Sequence, residues 1–346
     1  MTMDKPRLWI SRPTFPDVVE RLHTYFAVES EEEEIQFSSA QLAAKLAPMD
    51  AAIIGTKERI GAAEVAHAPR LRILANLSVG YDNLDIEALT AAHIAATNTA
   101  GALDESVADY TWALLLGAAR RVGAAERWLR AGSWKKTVFT QWLGADVHGR
   151  VLGILGMGRI GQAVARRARG FDMEVVYHNR SRLPPAVEQA CHARYVDKAQ
   201  LLRDADFLVL LVPLTPENRH AVAAAELAQM KRGAVLVNVA RGGVVDDAAL
   251  AQALAGGALA AAALDVFEGE PAVHPALLAL DNVLLSPHIA SASRGTRRAM
   301  TALAVDNVLA YFGHGPHAGR PPSILNPAVL AADNARSRPE TKTSRT

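Results

Sequence analysis

The sequence has few of the features that would commit a chain to a particular class. One cysteine, Cys191, occurs in 346 residues. That excludes an internal disulfide and suits a reducing cytoplasm. Its surroundings read as helix and loop, and the thiol as structural. No apolar run reaches the roughly 20 residues that a membrane-spanning helix needs. Residues Met1 to Arg7 are charged and lack the apolar core of a secretion signal, so a cytoplasmic protein is expected. The formal net charge is only +1, so no global field draws the chain to nucleic acid or to a membrane surface. The acidic run Glu29 to Glu34 reads as a solvated segment. His148, His178, His192, His220, His274, His314 and His317 show no metal-ligand spacing, so no metal is expected. There is no nucleophile elbow, and no internal repeat beyond the alternation of strands and helices.

Hydrophobic residues, by contrast, make up 50% of the chain, enough for a large core and for two domains. The chain is organised around Val151-Leu152-Gly153-Ile154-Leu155-Gly156-Met157-Gly158-Arg159-Ile160-Gly161. An apolar run ends in G-x-G-x-x-G, a helical pattern follows over Gln162 to Arg169, and a second apolar run follows at Met173 to Tyr177. Strand, glycine turn, helix, strand is the unit that binds a dinucleotide. Gly156 makes the tight turn, Gly158 lets the backbone approach a pyrophosphate, and Gly161 lets helix pack on strand. The phosphates then meet free N–H groups at the helix start. A bare G-x-G-x-x-G is a weak signal in an Ala/Gly-rich chain; its setting between two strand-like runs makes it strong.

Upstream, strand-like runs at Leu8 to Ile10, Ala51 to Ile54, Leu71 to Leu77 and His93 to Thr97 alternate with helical spacing at Val18 to Phe26, Ser38 to Leu46 and Ile86 to Ala92. This predicts a first parallel α/β domain. Asp104 to Arg121 reads as a long helix, followed by a stretch without strand alternation; Trp112, Trp128, Trp134 and Trp142 fall in this region. Beyond the glycine turn, strand-like runs recur at Val175 to Tyr177, Phe207 to Val212, Val235 to Val239, Ala260 to Leu264 and Val283 to Leu285. A last long helix at Arg294 to Phe312 is placed to return to the first domain. The expected fold is α/β with two doubly wound parallel-sheet, Rossmann-like domains, the cofactor domain inserted into the substrate domain. The expected boundaries are 1–99 with 288–330 for the substrate domain, 100–287 for the dinucleotide-binding domain, and a disordered tail at 331–346.

Three segments place polar residues just past a strand's carboxyl end, where open α/β sheets bind ligands. They carry Arg241, Glu270 and His288. Arg241 offers a bidentate fork for a carboxylate. His288 is the natural proton donor and acceptor near neutral pH, and Glu270 is placed to hold its ring. Each alone reads as an ordinary loop residue; three at the edge that bears the glycine turn point to a catalytic set.

With these residues the chain resembles the D-isomer-specific 2-hydroxyacid dehydrogenases, most closely the glyoxylate/hydroxypyruvate reductases and 2-ketogluconate reductases. The resemblance rests on the Gly153 to Gln162 turn, Leu211 to Pro216, Asn238 to Asp246, Ala263 to Phe267, Glu270-Pro271, Ser286-Pro287-His288 and, upstream, Asn76 to Asn83. It implies reduction of a small 2-keto acid to the D-2-hydroxy acid with a nicotinamide cofactor. Arg241 would bind the substrate carboxylate and keto oxygen, and His288 would protonate that oxygen as hydride arrives. Glu270 would hydrogen-bond His288, and Val79 and Gly80 would offer backbone N–H groups to the carboxylate. Gly156, Met157, Gly158, Arg159, Ile160 and Gly161 would hold the pyrophosphate. Val212, Pro213, Asn218, Val239 and Ala240 would line the cofactor, and Asp265 would contact the nicotinamide amide. The same fold serves dinucleotide-sensing corepressors, which is the alternative reading; the chain shows no evident interaction module that favours it.

Cofactor choice is read from Tyr177-His178-Asn179-Arg180-Ser181-Arg182. An NAD-binding fold carries an acidic residue here for the ribose 2′-OH, and this strand end has none. Asn179, Arg180 and Ser181 are expected to take a 2′-phosphate, Arg180 first and Arg182 last. NADP(H) is therefore expected over NAD(H). The aromatics of 104–145 are the kind of surface that subunits bury, so a homodimer through 104–145 is expected. The resemblance directs Trp142 toward a partner subunit's active site.

Overall fold

Every pairing between strands in the computed structural model, which describes residues 5–331, is parallel. The described chain divides into two compact units. One comprises residues up to Leu103 together with those from Ser293 onward, and the other is Asp104–Ala292. The second is thus inserted in the sequence of the first. The divisions fall a little beyond the expected 99/100 and 287/288. The tail expected at 331–346 lies outside the described residues except for Ala331, which is helical.

The first unit carries strands β1 (Arg7–Ile10), β2 (Ala27–Ser30), β3 (Ala51–Ile54), β4 (Ile73–Asn76) and β5 (Ala95–Thr97) in the order β2-β1-β3-β4-β5. Because side chains alternate along a strand, Leu8 and Ile10 enter one core layer and Trp9 the other. The first layer is closed by Val18 and Leu22 of the helix Pro16–His23 and by Val305 and Val308 of the helix Arg294–Tyr311. Each such side chain withdrawn from water contributes roughly 1.5–3 kcal/mol. The last long helix therefore does return to this unit, packing on the first helix and on β3 and β4. Ser38 caps the helix Ser39–Leu46 with a reciprocal capping box through Gln41.

The second unit carries β6 (Val151–Leu155), β7 (Glu174–His178), β8 (Ala193–Tyr195), β9 (Phe207–Leu210), β10 (Val235–Asn238), β11 (Ala261–Leu264) and β12 (Val283–Leu285). Their order is β12-β11-β10-β9-β6-β7-β8. The chain reverses direction across the sheet between β6 and β9, the position where doubly wound folds bind dinucleotides. No described helix is long and apolar enough to cross a membrane.

Two strands, β2 and β8, escaped the sequence reading, and both are sheet edges. β2 is largely exposed and β8 half-buried to exposed, so neither leaves the apolar run by which buried strands are recognised. The acidic run also needs correction at Glu31. Its carboxylate turns inward to accept Trp9 Nε1 at 2.9 Å and pairs with Lys45 Nζ at 2.5 Å.

The helix Asp104–Ala119 is committed to its own unit, packing on the helix Arg159–Ala168 and on β10, β11 and β12. Its Trp112 is buried, stacked on Phe171 at 4.6 Å and bonded to Val164 O at 3.1 Å. Apolar exposure lies instead over 122–143: Trp134 is 60% exposed and Phe139 96%. Trp128 and Trp142 meet edge to face, with Arg121 over the Trp142 ring.

Candidate active site

The turn after β6 is shaped by its glycines. Gly156 has φ +106°, and a Cβ there would lie 2.6 Å from the Leu211 backbone. A Cβ on Gly161 would lie 2.5 Å from Gly156 O, whereas Gly158 faces open space. The helix Arg159–Ala168 starts at Gly158 without a side-chain cap, so the N–H groups of its first turn are available to an anion. An open glycine face beside an uncapped helix start fits a pyrophosphate. Val212 and Pro213 follow β9, and Asn218 Nδ2 donates to Pro213 O at 3.0 Å. They stand across the reversal point from the glycine turn.

The strand end expected to select the ribose phosphate sorts its residues. Asn179 Oδ1 accepts from Met157 N at 2.7 Å, fastening this strand end to the glycine turn. Arg182 is engaged elsewhere: its guanidinium forks onto Glu188 at 2.9 and 2.7 Å. Glu188 also accepts the Tyr177 hydroxyl at 2.7 Å. Burial and that carboxylate push the Tyr177 phenol up to about 12. Arg182 is thereby a latch for the strand end, while Arg180 carries its charge at the exposed tip beside Ser181.

The three residues beyond β10, β11 and β12 share one sheet edge. His288 Nδ1 stands 2.8 Å from Glu270 Oε2. A carboxylate at Nδ1 fixes the proton there and leaves Nε2 for a ligand. Glu270 Oε1 accepts from Phe267 N at 3.0 Å. Burial raises the Glu270 carboxyl, but the His288 hydrogen bond and charge, the Phe267 N–H and the Arg241 charge outweigh it and hold it below the ordinary value. His288 sits at φ +55°, its N–H donating to Asp265 O at 2.8 Å. Arg241 follows Val239 and Ala240, whose turn is shaped by the buried Asn238: Oδ1 accepts from Ala240 N and Nδ2 donates to Arg241 O.

Asp265 is almost fully buried. Its carboxylate accepts from Ser286 Oγ at 2.6 Å, Ile289 N at 2.9 Å and Ala290 N at 2.8 Å. It holds the His288 loop in place, a role the sequence reading had not given it. Glu268 was also missed. It pairs with Arg219 and His220, and its N–H donates to Asp247 Oδ2 at 3.0 Å. The loops after β9, β10 and β11 are tied together there. The usable signal was a polar residue two positions from Glu270 in a Gly-containing loop, too common a pattern to stand out alone.

Val79 and Gly80 belong to the other unit, in the loop after β4, and are half-buried. Asn76 Nδ2 donates to Gly80 O and Asn98 Nδ2 to Val79 O, each at 2.9 Å. In the sequence Asn76 stands within the Asn76 to Asn83 motif and Asn98 in an ordinary strand-to-loop stretch, and neither carries a signal of this role.

Residues 112–290 match the family model described as D-isomer specific 2-hydroxyacid dehydrogenase, NAD binding domain. The chain is 44% identical over 330 residues to a glyoxylate reductase of Thermococcus onnurineus, covering 94% of this chain and 97% of that one. It is 43% identical over 335 residues to a glyoxylate reductase of Aeropyrum pernix, covering 95% and 98%. Among solved structures it is similar to the NADPH-dependent glyoxylate/hydroxypyruvate reductase of Sinorhizobium meliloti in complex with NADP and malonate. The TM-score there is 0.82 and the identity 36%, over 93% of this chain and 97% of that one.

Proposed function

The chain belongs to the D-isomer specific 2-hydroxyacid dehydrogenase family, and from that premise we propose that it reduces glyoxylate, or a similarly small 2-keto acid such as hydroxypyruvate or 2-ketogluconate, with NADPH. As a member it is a nicotinamide-dependent oxidoreductase acting on 2-keto and 2-hydroxy acids. The observation that carries the proposal is the Glu270–His288 pair, 2.8 Å apart on the sheet edge that also bears Arg241 and the glycine turn.

In this reading the inserted unit binds the dinucleotide. Gly156 to Gly161 hold the pyrophosphate, with Val212, Pro213, Asn218, Val239 and Ala240 along the cofactor and Asp265 behind the loop that meets it. When bound, the reduced nicotinamide supplies a hydride to the keto carbon. His288 Nε2 gives a proton to the keto oxygen, and Glu270 steadies the imidazolium before transfer. Arg241 pairs with the substrate's carboxylate and polarises the keto oxygen, and the N–H groups of Val79 and Gly80 take the carboxylate. Arg180 and Ser181 select the 2′-phosphate.

NADPH oxidation is followed with glyoxylate, hydroxypyruvate and 2-ketogluconate in turn. Saturable turnover with at least one is expected. Cofactor binding without turnover of any 2-keto acid would overturn the proposal in favour of a dinucleotide sensor. The exposed apolar side chains over 122–143 support a homodimer built on that segment. Sedimentation of the wild type as a dimer, and of Phe139→Asp as a monomer, is the expected outcome.

A further inference from the structure

Three consecutive carbonyls in the loop after β4 are each held by a neighbour. Ser78 O accepts from Thr99 N at 2.9 Å, Val79 O from Asn98 Nδ2 at 2.9 Å, and Gly80 O from Asn76 Nδ2 at 2.9 Å. In a planar trans peptide the N–H of the next residue points opposite to the carbonyl. Holding these three oxygens therefore turns the N–H groups of Val79, Gly80 and Tyr81 the other way. None of the three finds an acceptor among the described residues; Tyr81 is exposed, but Val79 and Gly80 are half-buried, where N–H groups are ordinarily paired.

The two asparagines are themselves locked. Asn76 is fully buried, and its second amide proton meets Asn83 Oδ1 at 3.3 Å. Asn83 in turn donates to Gly55 O and Glu58 O at 3.0 and 2.9 Å. Asn98 is fixed through its backbone: its carbonyl accepts from Ser323 Oγ at 2.6 Å and Asn307 Nδ2 at 3.4 Å, and its N–H donates to Ser323 O at 3.2 Å. Asn307 is a fully buried polar residue in the helix Arg294–Tyr311, costly unless bonded. Two separate polar networks thus run through an apolar unit and end on the same three-residue loop.

We propose that Asn76 and Asn98 are positioning residues that hold this loop with its N–H groups aimed at an incoming carboxylate. The inference rests on the functional reading above, in which Val79 and Gly80 meet the substrate. Neither asparagine is assigned to the substrate: Asn98 fixes the Val79–Gly80 peptide plane, which carries the Gly80 N–H, and Asn76 fixes the adjoining Gly80–Tyr81 plane, which carries the Tyr81 N–H and holds the far side of the same loop. A row of oriented N–H groups binds an anion through fixed partial charges and without a titrating side chain.

The experiment first establishes wild-type turnover of glyoxylate with NADPH, and binding of oxamate, an unreactive carboxylate analogue, by calorimetry in the presence of cofactor. Asn98→Asp and Asn76→Ala are then compared with it. Asn98→Asp keeps the shape but turns an oxygen toward Val79 O. Losing one hydrogen bond that serves a charged ligand predicts about a tenfold rise in the oxamate Kd and in KM for glyoxylate. NADPH affinity is expected to be unchanged and kcat to stay within about threefold. Lowering the pH protonates the introduced carboxyl, restores a donor to Val79 O, and brings oxamate affinity back toward the wild-type curve. If Asn76→Ala does not fold, Asn98→Asp with Asn98→Ser, a smaller lesion, decides. Unchanged oxamate affinity in the folded variants, or a loss of NADPH affinity as large as that of oxamate, overturns the inference. A wild type that neither turns over 2-keto acids nor binds oxamate overturns the functional reading instead.

Discussion

Each sheet ends an inner strand in a buried asparagine, and the two asparagines serve different chemistry. Asn76 closes β4 and folds the next loop so that backbone N–H groups are left over. Asn238 closes β10 and folds its loop so that the Arg241 side chain emerges. One edge thus presents peptide groups and the other titratable side chains. The contrast extends to the points where each sheet reverses its strand order. In the inserted unit the crevice between β6 and β9 is open over Gly158. In the other unit the corresponding place, between β1 and β3, is filled by Arg12. Its guanidinium lies against Gly55 and pairs with Glu58, which is 2% exposed, at 3.4 Å. The same topology provides a ligand crevice only where no side chain plugs it. A parallel sheet edge therefore becomes a site through what the loops leave unsatisfied.

The sharpest way to break the comparison is at the titratable edge. His288→Asn is expected to lower kcat by roughly 10²–10⁴, the usual worth of a general acid–base, with NADPH affinity nearly intact by fluorescence titration. Unchanged turnover would remove His288 from the chemistry. Arg12→Ala tests the plugged crevice. Removing one partner of a buried pair strands the Glu58 carboxylate and costs about 3 kcal/mol. Denaturant unfolding should show that loss, while cofactor affinity, which belongs to the open crevice, stays the same. A variant as stable as wild type would mean the pair does not hold that unit together.

The same contrast explains what could be read from the sequence. The glycine turn and the candidate set Arg241, Glu270 and His288 stand out in the sequence because each residue type carries its chemistry wherever it stands, and strand ends fix where it stands. The inner strands were legible because burial on both faces leaves a continuous apolar run. β2 and β8 left none, being edge strands with no fully buried residue. Asn76 and Asn98 were illegible for a different reason: their work is done on carbonyls brought close by the fold, Asn98 across 19 residues of sequence. Arg180 and Arg182 look alike in sequence, and only the fold, which brings Glu188 to Arg182, separates them.

That separation gives the next prediction. Arg180→Ala should reduce the NADPH over NADH preference in kcat/KM about tenfold, the weight of one charge-assisted hydrogen bond. Arg182→Ala should change the preference far less, since its guanidinium is already bonded to Glu188. Equal effects of the two variants would show that the latch opens when cofactor binds.

The smallest expected effect lies in pH dependence, where the two edges should part. The Glu270 carboxyl is raised by burial but lowered more by the His288 bond and charge, the Phe267 N–H and the Arg241 charge, so its folded value lies below the ordinary one. A carboxyl depressed on folding adds stability that is present above its unfolded pKa, near 4.3. That stability fades as pH falls through the folded value. Glu270 is a third exposed, so solvent screens the pair and the contribution is modest. Wild type should therefore unfold at a slightly higher temperature than Glu270→Gln at neutral pH, and the two should converge as the solution is acidified through the carboxylate range. At the other edge Asn98→Ser removes a bond between neutral groups, and its offset from wild type should stay level over the same range. A Glu270→Gln offset as flat as that of Asn98→Ser would show that the His288 loop is held by shape and not by charge.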